Sequence, residues 1–357
     1  MWNPESRRRA AGLLTFLLAG CGGGAPAVVP AGTATSPEAT LALLTALAHD
    51  SLEGRATGRP GSTRAAAIIA AEMARIGLAP AGDSGFHQRI PLILGTRAIN
   101  NRPVSGPMLA TSFAARDSFP PSQRLPGVNV IGVLAGSDPA LANEHVVVSA
   151  HYDHIGIRAP VNGDSINNGA DDDASGVVAV LKIAERMARG PKPRRTVYFA
   201  AWTGEESGGL GARWYSDHPV RPLSEMAANL QIEMIGRPDS LAGGPGRAWL
   251  TGYERSTMGE MLAAGGVPIG PDKRPAQQFF QRSDNYRFAL RGVVAHTLST
   301  FNMHTDYHRP SDEVDKVDAV HMARVIDAAT RAVQLLADGP RPTWKPGGKP
   351  TPPAPRN

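Results

Sequence analysis

A single cysteine, Cys21, stands in 357 residues, so no disulfide can form within the chain. The formal net charge of +5 comes without any dense run of lysine or arginine, which argues against nucleic acid as a partner. The apolar stretch at residues 10–19 is too short to cross a bilayer. No internal repeat is visible. What remains is a composition of 42% hydrophobic and 19% charged residues, enough for one large globular domain or two ordinary ones.

The start of the chain reads as an export signal. Arg7, Arg8 and Arg9 precede the apolar stretch, which ends Leu18-Ala19-Gly20-Cys21. That ending resembles the lipobox of bacterial lipoproteins. Residues 1–20 would then be removed, and Cys21 would be lipidated as the new N-terminus. The chain would be exported and lipid-anchored to the bacterial cell envelope, with no thiol left for catalysis. A plain cleaved signal is the alternative, and Ser6-Arg7-Arg8-Arg9 weakly resembles a twin-arginine signal. Residues 21–35, rich in Gly, Ala, Pro and Thr, read as a flexible tether.

The remainder divides into residues 36–338, a single domain, and residues 339–357, a proline-rich tail expected to be disordered. Ser36 and Pro37 predict the start of a helix running to about His49, and a second helix follows at about 63–76, stopped by Gly77. Residues 92–126 show no strong period. They are expected to be an irregular excursion or weak strands, too short for an inserted domain. Thr196–Trp202 is a continuous apolar run, Val128–Leu134 and 146–150 are strand-like apolar runs, and 228–234 and 293–298 also read as strands. Helices are expected from 177 to Gly190-Pro191, and at about 208–216, 256–264, 283–290 and 315–337. This alternation predicts an α/β fold with a mostly parallel central sheet sandwiched by helices.

Four of the predicted strands lead into ionisable clusters. These are His151-Tyr152-Asp153, then Glu205-Glu206, then Glu233, then the segment 304–308 with a histidine at each end. In open α/β sheets ligands gather beyond the carboxyl ends of strands, so these segments could meet at one edge. Imidazole and carboxylate are the usual non-thiolate ligands of zinc. The run Asp171-Asp172-Asp173 offers a carboxylate that could bridge two ions. The spacing of His151 and Asp153 fits a pair in which the Asp accepts the free ring N–H of a metal-bound His. Of the adjacent Glu205 and Glu206, one could bind metal while the other serves as general base. Taken singly, each feature is more often structural: a surface His–Asp pair, a solvated helix face, a charge cluster at a helix N-terminus.

The motifs EGRATGRPGS, VVVSAHYDHIG, NNGADDDASG, AAWTGEESGGLGA, NLQIEMIG, RSDNYRF and DYHRPSDEVDKVD occur in that order over roughly residues 45–335. Together they resemble the two-zinc aminopeptidases that include bacterial leucyl aminopeptidase and aminopeptidase Y. Glutamate carboxypeptidase and the glutaminyl cyclases are more distant relatives.

The resemblance implies two Zn2+ per chain. It implies His151 and Glu233 on the first ion, Glu206 and His308 on the second, and Asp172 between them. Asp153 would support His151, Glu205 would be the general base, and the Tyr307 phenol would lie near the substrate carbonyl. Asp284 and Tyr286 are candidates for the substrate pocket. Relatives tend to have a cis peptide after the bridging Asp, here Asp172-Asp173. Glu233 stands where Asp is usual, Asn285 where many relatives have His, and no protease-associated domain is visible. His154 and His304 match no ligand position and are expected to support packing or hydrogen bonding. The activity implied is hydrolysis of an N-terminal peptide bond in a peptide or aminoacyl substrate. A glutaminyl cyclase or other amide hydrolase on the same fold is one rival, and a non-catalytic binding relative another.

Overall fold

The computed structural model describes Met1 and residues 34–99 and 102–351. The signal, the lipobox at Cys21 and most of the tether lie outside the described residues.

The long apolar runs form the middle of a nine-stranded sheet. We label the hairpin strands β1 (Leu92–Ile99) and β2 (Arg102–Leu109), and the central strands β3 (Val128–Leu134), β4 (His145–His151), β5 (Thr196–Trp202), β6 (Met226–Glu233) and β7 (Ala295–Ser299). Strands β5, β4, β6 and β7 lie side by side and parallel, while β3 pairs antiparallel with β5. Short strands at Ala79–Pro80, His87–Arg89, Ala248–Leu250 and Ile269–Pro271 complete the edges. Every residue of β4 is buried, as a strand covered on both faces requires.

Side chains of β4 alternate between two cores. Val146 and Val148 face helices Pro37–Leu47, Pro60–Ile76, Gly176–Arg189 and Ala319–Asp338, while Val147 faces Leu210–Asp217 and Asn285–Leu290. Helix Gly176–Arg189 begins hard against the sheet. A Cβ on Gly176 would lie 2.5 Å from the Ile232 carbonyl oxygen and 2.3 Å from Asp173 Oδ1, so only glycine fits there. The four parallel strands end together, which brings the loops after them to one rim.

One open expectation is resolved and another changes. Of the two readings of residues 92–126, the strands hold: β1 and β2 form a hairpin of eight residue pairs, which segment 124–125 extends by pairing with β1. This ribbon is largely exposed and carries Pro103, Gly106 and Pro107, so neither face shows an apolar alternation. The tail is also ordered as far as Thr351. Trp344 packs on Phe280 and His296 and donates its indole N–H to the Gly292 carbonyl at 3.0 Å, and Lys345 pairs with Glu260. Proline content masked one anchoring tryptophan. Helix boundaries otherwise lie within a few residues of expectation, the largest shift being the last helix, which begins at Ala319 after the cap residue Asp318.

Candidate metal centre

Two groups of side chains meet at the rim where the parallel strands end. One consists of His151, Asp172 and Glu233; the other of His154, Asp172, Glu206 and His308. Within each group the donor atoms lie within 4.8 Å of one another. All five residues singled out as ligands are therefore brought together, and His154 joins them.

The run of three aspartates divides its labour. Asp173 accepts backbone N–H groups from Gly176 and Met234, both at 3.0 Å, and Asp171 accepts that of Gly236 at 2.7 Å. Both are thereby spent on holding loops together. Asp172 is left facing both groups. Its Oδ1 lies 3.3 Å from His151 Nε2 and its Oδ2 lies 3.2 Å from His308 Nε2. The Asp172–Asp173 peptide is cis. Asp312 accepts the backbone N–H of Asp172 at 3.1 Å and pairs with Arg237, which fixes the turn from below.

His151 ends β4. Its Nδ1 donates to the backbone carbonyl of Asp153 at 3.0 Å, whereas the Asp153 carboxylate stands 3.8 Å away. The expected partner is thus corrected from side chain to main chain. That hydrogen bond leaves the Nε2 lone pair directed at the site. The Asp153 carboxylate accepts instead from Thr57 Oγ1 at 2.7 Å and from the Glu205 backbone N–H at 3.0 Å. His308 adopts φ of +57°, a conformation costly for a residue with a Cβ, which the stacked ring of Tyr307 helps hold. His304 hydrogen-bonds to Asp171 at 3.1 Å and stays in a supporting place.

The donor set fits divalent cations. His151 Nε2, Asp172 Oδ2, Glu233 Oε2 and His308 Nε2 are buried without a hydrogen-bond partner among the described residues. Each such atom costs roughly 1–3 kcal/mol if left unsatisfied, so four in one place mark a ligand's position. The nitrogens and oxygens approach side by side without hydrogen-bond alignment, as donors aimed at a shared point do.

Sequence reasoning passed over Arg55, although EGRATGRPGS contains it. Arg55 is 1% exposed and donates to four backbone carbonyls, those of Leu47, Tyr152, Asn168 and Gly169, at 2.5–2.9 Å. It clamps the loop after β4 to the loop carrying Asp172, and it sets a positive charge behind them.

Electrostatics are dominated by buried carboxyls. Burial pushes the Glu205 carboxyl well above the usual range, with Glu233, Asp284 and Glu206 adding to the effect. Burial likewise pushes Glu233 and Asp284 up to about 7. Asp172 goes the other way: burial opposes ionisation, but His151 and His308 outweigh it and hold the carboxyl well below the usual range. Tyr307 is pushed far up by burial and by Asp172, Glu206 and Glu233, so its phenol keeps its proton. Asp284 and Tyr286 line one small cavity with Glu205, and both Asp284 oxygens are unpartnered there among the described residues. A larger cleft of about 470 Å³ opens beside Glu206 and His154, with hairpin residues Arg97 and Val104 forming its far wall.

The fold and this cluster define a hydrolase-type α/β protein with paired metal-binding groups. The family profile described as peptidase family M28 matches residues 129–333, more than half of the sequence. The chain belongs to that family. A probable zinc metalloprotease of Pyrenophora tritici-repentis is 26% identical over 189 residues, covering 51% of this chain and 42% of that protein. The chain thus spans under half the length of that relative. Among solved structures, a zinc aminopeptidase from Bacillus subtilis superposes with a TM-score of 0.63 at 15% identity, over 85% of this chain and 96% of that one. Porphyromonas gingivalis glutaminyl cyclase superposes with a TM-score of 0.58 at 14% identity, over 85% and 99%. These likenesses establish the shared fold.

Proposed function

We propose that the protein is a zinc aminopeptidase that removes N-terminal residues from peptides. One observation carries the reading: the two oxygens of Asp172 face two separate donor groups, with Glu205 on the neighbouring loop. His151 and Glu233 would hold one zinc, Glu206 and His308 the other, and Asp172 both. Bound there, the ions would lower the pKa of a shared water towards about 7 and polarise the substrate carbonyl.

Glu205 acts as the general base. Its raised proton affinity suits a group that must keep the proton taken from the attacking water and return it to the leaving amine. Asp153 fixes the backbone of Glu205 from the adjacent loop, so the carboxyl is presented at a set depth. Tyr307, held protonated, donates its hydroxyl to the developing oxyanion. The surrounding carboxylates Glu233 and Asp284 favour a substrate carrying a free ammonium group.

The test is a screen of aminoacyl chromogenic amides with and without chelator. Cleavage of free-amine substrates, lost with chelator and restored by zinc, is expected. Glu205→Gln should lower turnover by about 10³-fold or more while both ions stay bound. Near-normal turnover in that variant would reject the assigned base. Cyclisation of N-terminal glutamine with one tightly held ion would replace the peptidase reading with a cyclase.

We further propose export and lipid anchoring through Cys21, supported by Leu18-Ala19-Gly20-Cys21 behind Arg7, Arg8 and Arg9. Fatty-acid labelling that persists in a Cys21→Ser variant would refute it.

A further inference from the structure

We propose that His154 is a third imidazole ligand, binding the second ion through Nδ1 beside Asp172, Glu206 and His308. The inference rests on the two-ion reading above and adds to it an asymmetry between the ions.

The geometry of the donors carries it. His154 Nδ1 lies 2.9 Å from Glu206 Oε1 and 3.7 Å from Asp172 Oδ2, and His308 Nε2 lies 3.1 Å and 3.2 Å from the same two oxygens. Tetrahedral zinc with ligands at 2.0–2.1 Å separates them by about 3.3 Å, the edge of its coordination shell. The four separations bracket that value. The two rings meet edge to face, 5.5 Å apart, so each presents a nitrogen to the same pair of oxygens without blocking the other.

The surroundings keep His154 there. Its side chain has no exposed surface. Gly169, at φ +55°, lies beneath the ring: a Cβ there would meet the Asp172 carbonyl oxygen at 2.1 Å and His154 Cγ and Cδ2 at 2.6 Å. Gly169 in turn is held by Arg55 through its carbonyl. The glycine demanded by the Asp172 carbonyl thus also leaves room for the imidazole where it stands. The ring is buried against two carboxylates, with Nδ1 within reach of both.

The second ion would then have four side-chain donors and the first only three: His151, Asp172 and Glu233. The second position should fill first and release its ion last. A supporting role, in which His154 merely donates a hydrogen bond to Glu206, makes a different forecast, and asparagine separates the two. The H154N side chain keeps an amide N–H near the place of Nδ1 but removes the imidazole.

The experiment uses the mature chain, stripped with chelator and reloaded with zinc. Zinc-edge X-ray absorption should report three imidazoles over two ions in the wild type and two in H154N. Competition with a chromophoric chelator should show H154N and H154A alike losing more than about 100-fold in affinity at one position, beyond the roughly 10–100-fold typical of a lost supporting contact. Unchanged circular dichroism and thermal unfolding of the metal-free forms control for folding. Wild-type affinity for both ions in H154N, or two imidazoles in the wild type, would overturn the proposal while leaving the two-ion site standing. Failure of the wild type to take up zinc would overturn both.

Discussion

One oxygen of the Asp153 carboxylate accepts the Glu205 backbone N–H at 3.0 Å, while the other accepts Thr57 Oγ1 at 2.7 Å. The loop after β4 is thereby tied directly to the loop after β5. The side chain two residues from His151 fixes the proposed base and leaves the imidazole to a main-chain carbonyl. Asp153→Asn removes the charge and mismatches one of the two donors. Turnover should fall about 10–100-fold, with both ions still bound, as expected when a supporting contact is lost. Loss of zinc with unchanged turnover per loaded site would contradict that assignment.

Arg55 offers a second test. Arg55→Ala strands the buried carbonyls of Leu47, Tyr152 and Asn168, leaving Gly169 its bond from the Ala174 N–H, at roughly 1–3 kcal/mol for each one that finds no water, so unfolding in denaturant should show a loss of about 3 kcal/mol. Arg55→Lys cannot reproduce the planar fork and should recover less than half of that loss. A variant as stable as the wild type would show that the clamp is dispensable.

His296 is buried between Ser256 Oγ and the Thr251 carbonyl, both at 2.7 Å, and burial pushes it down to about 4. The unfolded chain takes up a proton near about 6.5, whereas the folded chain resists until about 4. Stability contributed by the neutral ring is therefore complete above the unfolded value and is lost as pH falls from about 6.5 towards 4. The wild type should therefore lose more of its thermal midpoint across that window than His296→Gln does, because the raised carboxyls of Glu233 and Asp284, whose linkage has the opposite sign, act equally in both. His145, also pushed down to about 4 by burial, contributes a slope of the same sign.

Much of this architecture was legible because the central strands are buried on both faces. Val128–Leu134 and Thr196–Trp202 are mostly apolar, and the structure gives them those bounds. The clusters that follow them converge because parallel strands end at one rim. Elsewhere the pattern carried less. The hairpin of β1 and β2 is an exposed ribbon, so no apolar period marks it. Which acceptor meets His151 Nδ1 depends on a backbone carbonyl, and a carbonyl has no residue type to read. Choosing Asp172 from three aspartates required either resemblance or the sight of Asp171 and Asp173 bound to backbone N–H groups. His154 stands within a recognisable motif, but nothing in its spacing shows that the ring turns towards Glu206.

The tail gives the last prediction. Trp344→Ala removes the packing on Phe280 and His296 and the 3.0 Å bond to Gly292. For a half-buried tryptophan this should cost about 2 kcal/mol, seen as a lower denaturation midpoint at unchanged slope. A midpoint equal to the wild type would mean that the tail merely rests on the domain.

The parallel strands put residues from His151 to His308 on one rim, and β7, which leads to His308, sits inside the sheet between β6 and Ala248–Leu250. A ribosome must therefore deliver the chain through His308, and β7 must join the sheet, before the second cluster can exist. The first cluster needs only residues up to Glu233, so the two positions become available at different stages of synthesis. Whatever supplies the second ion must act after β7 has closed into the sheet.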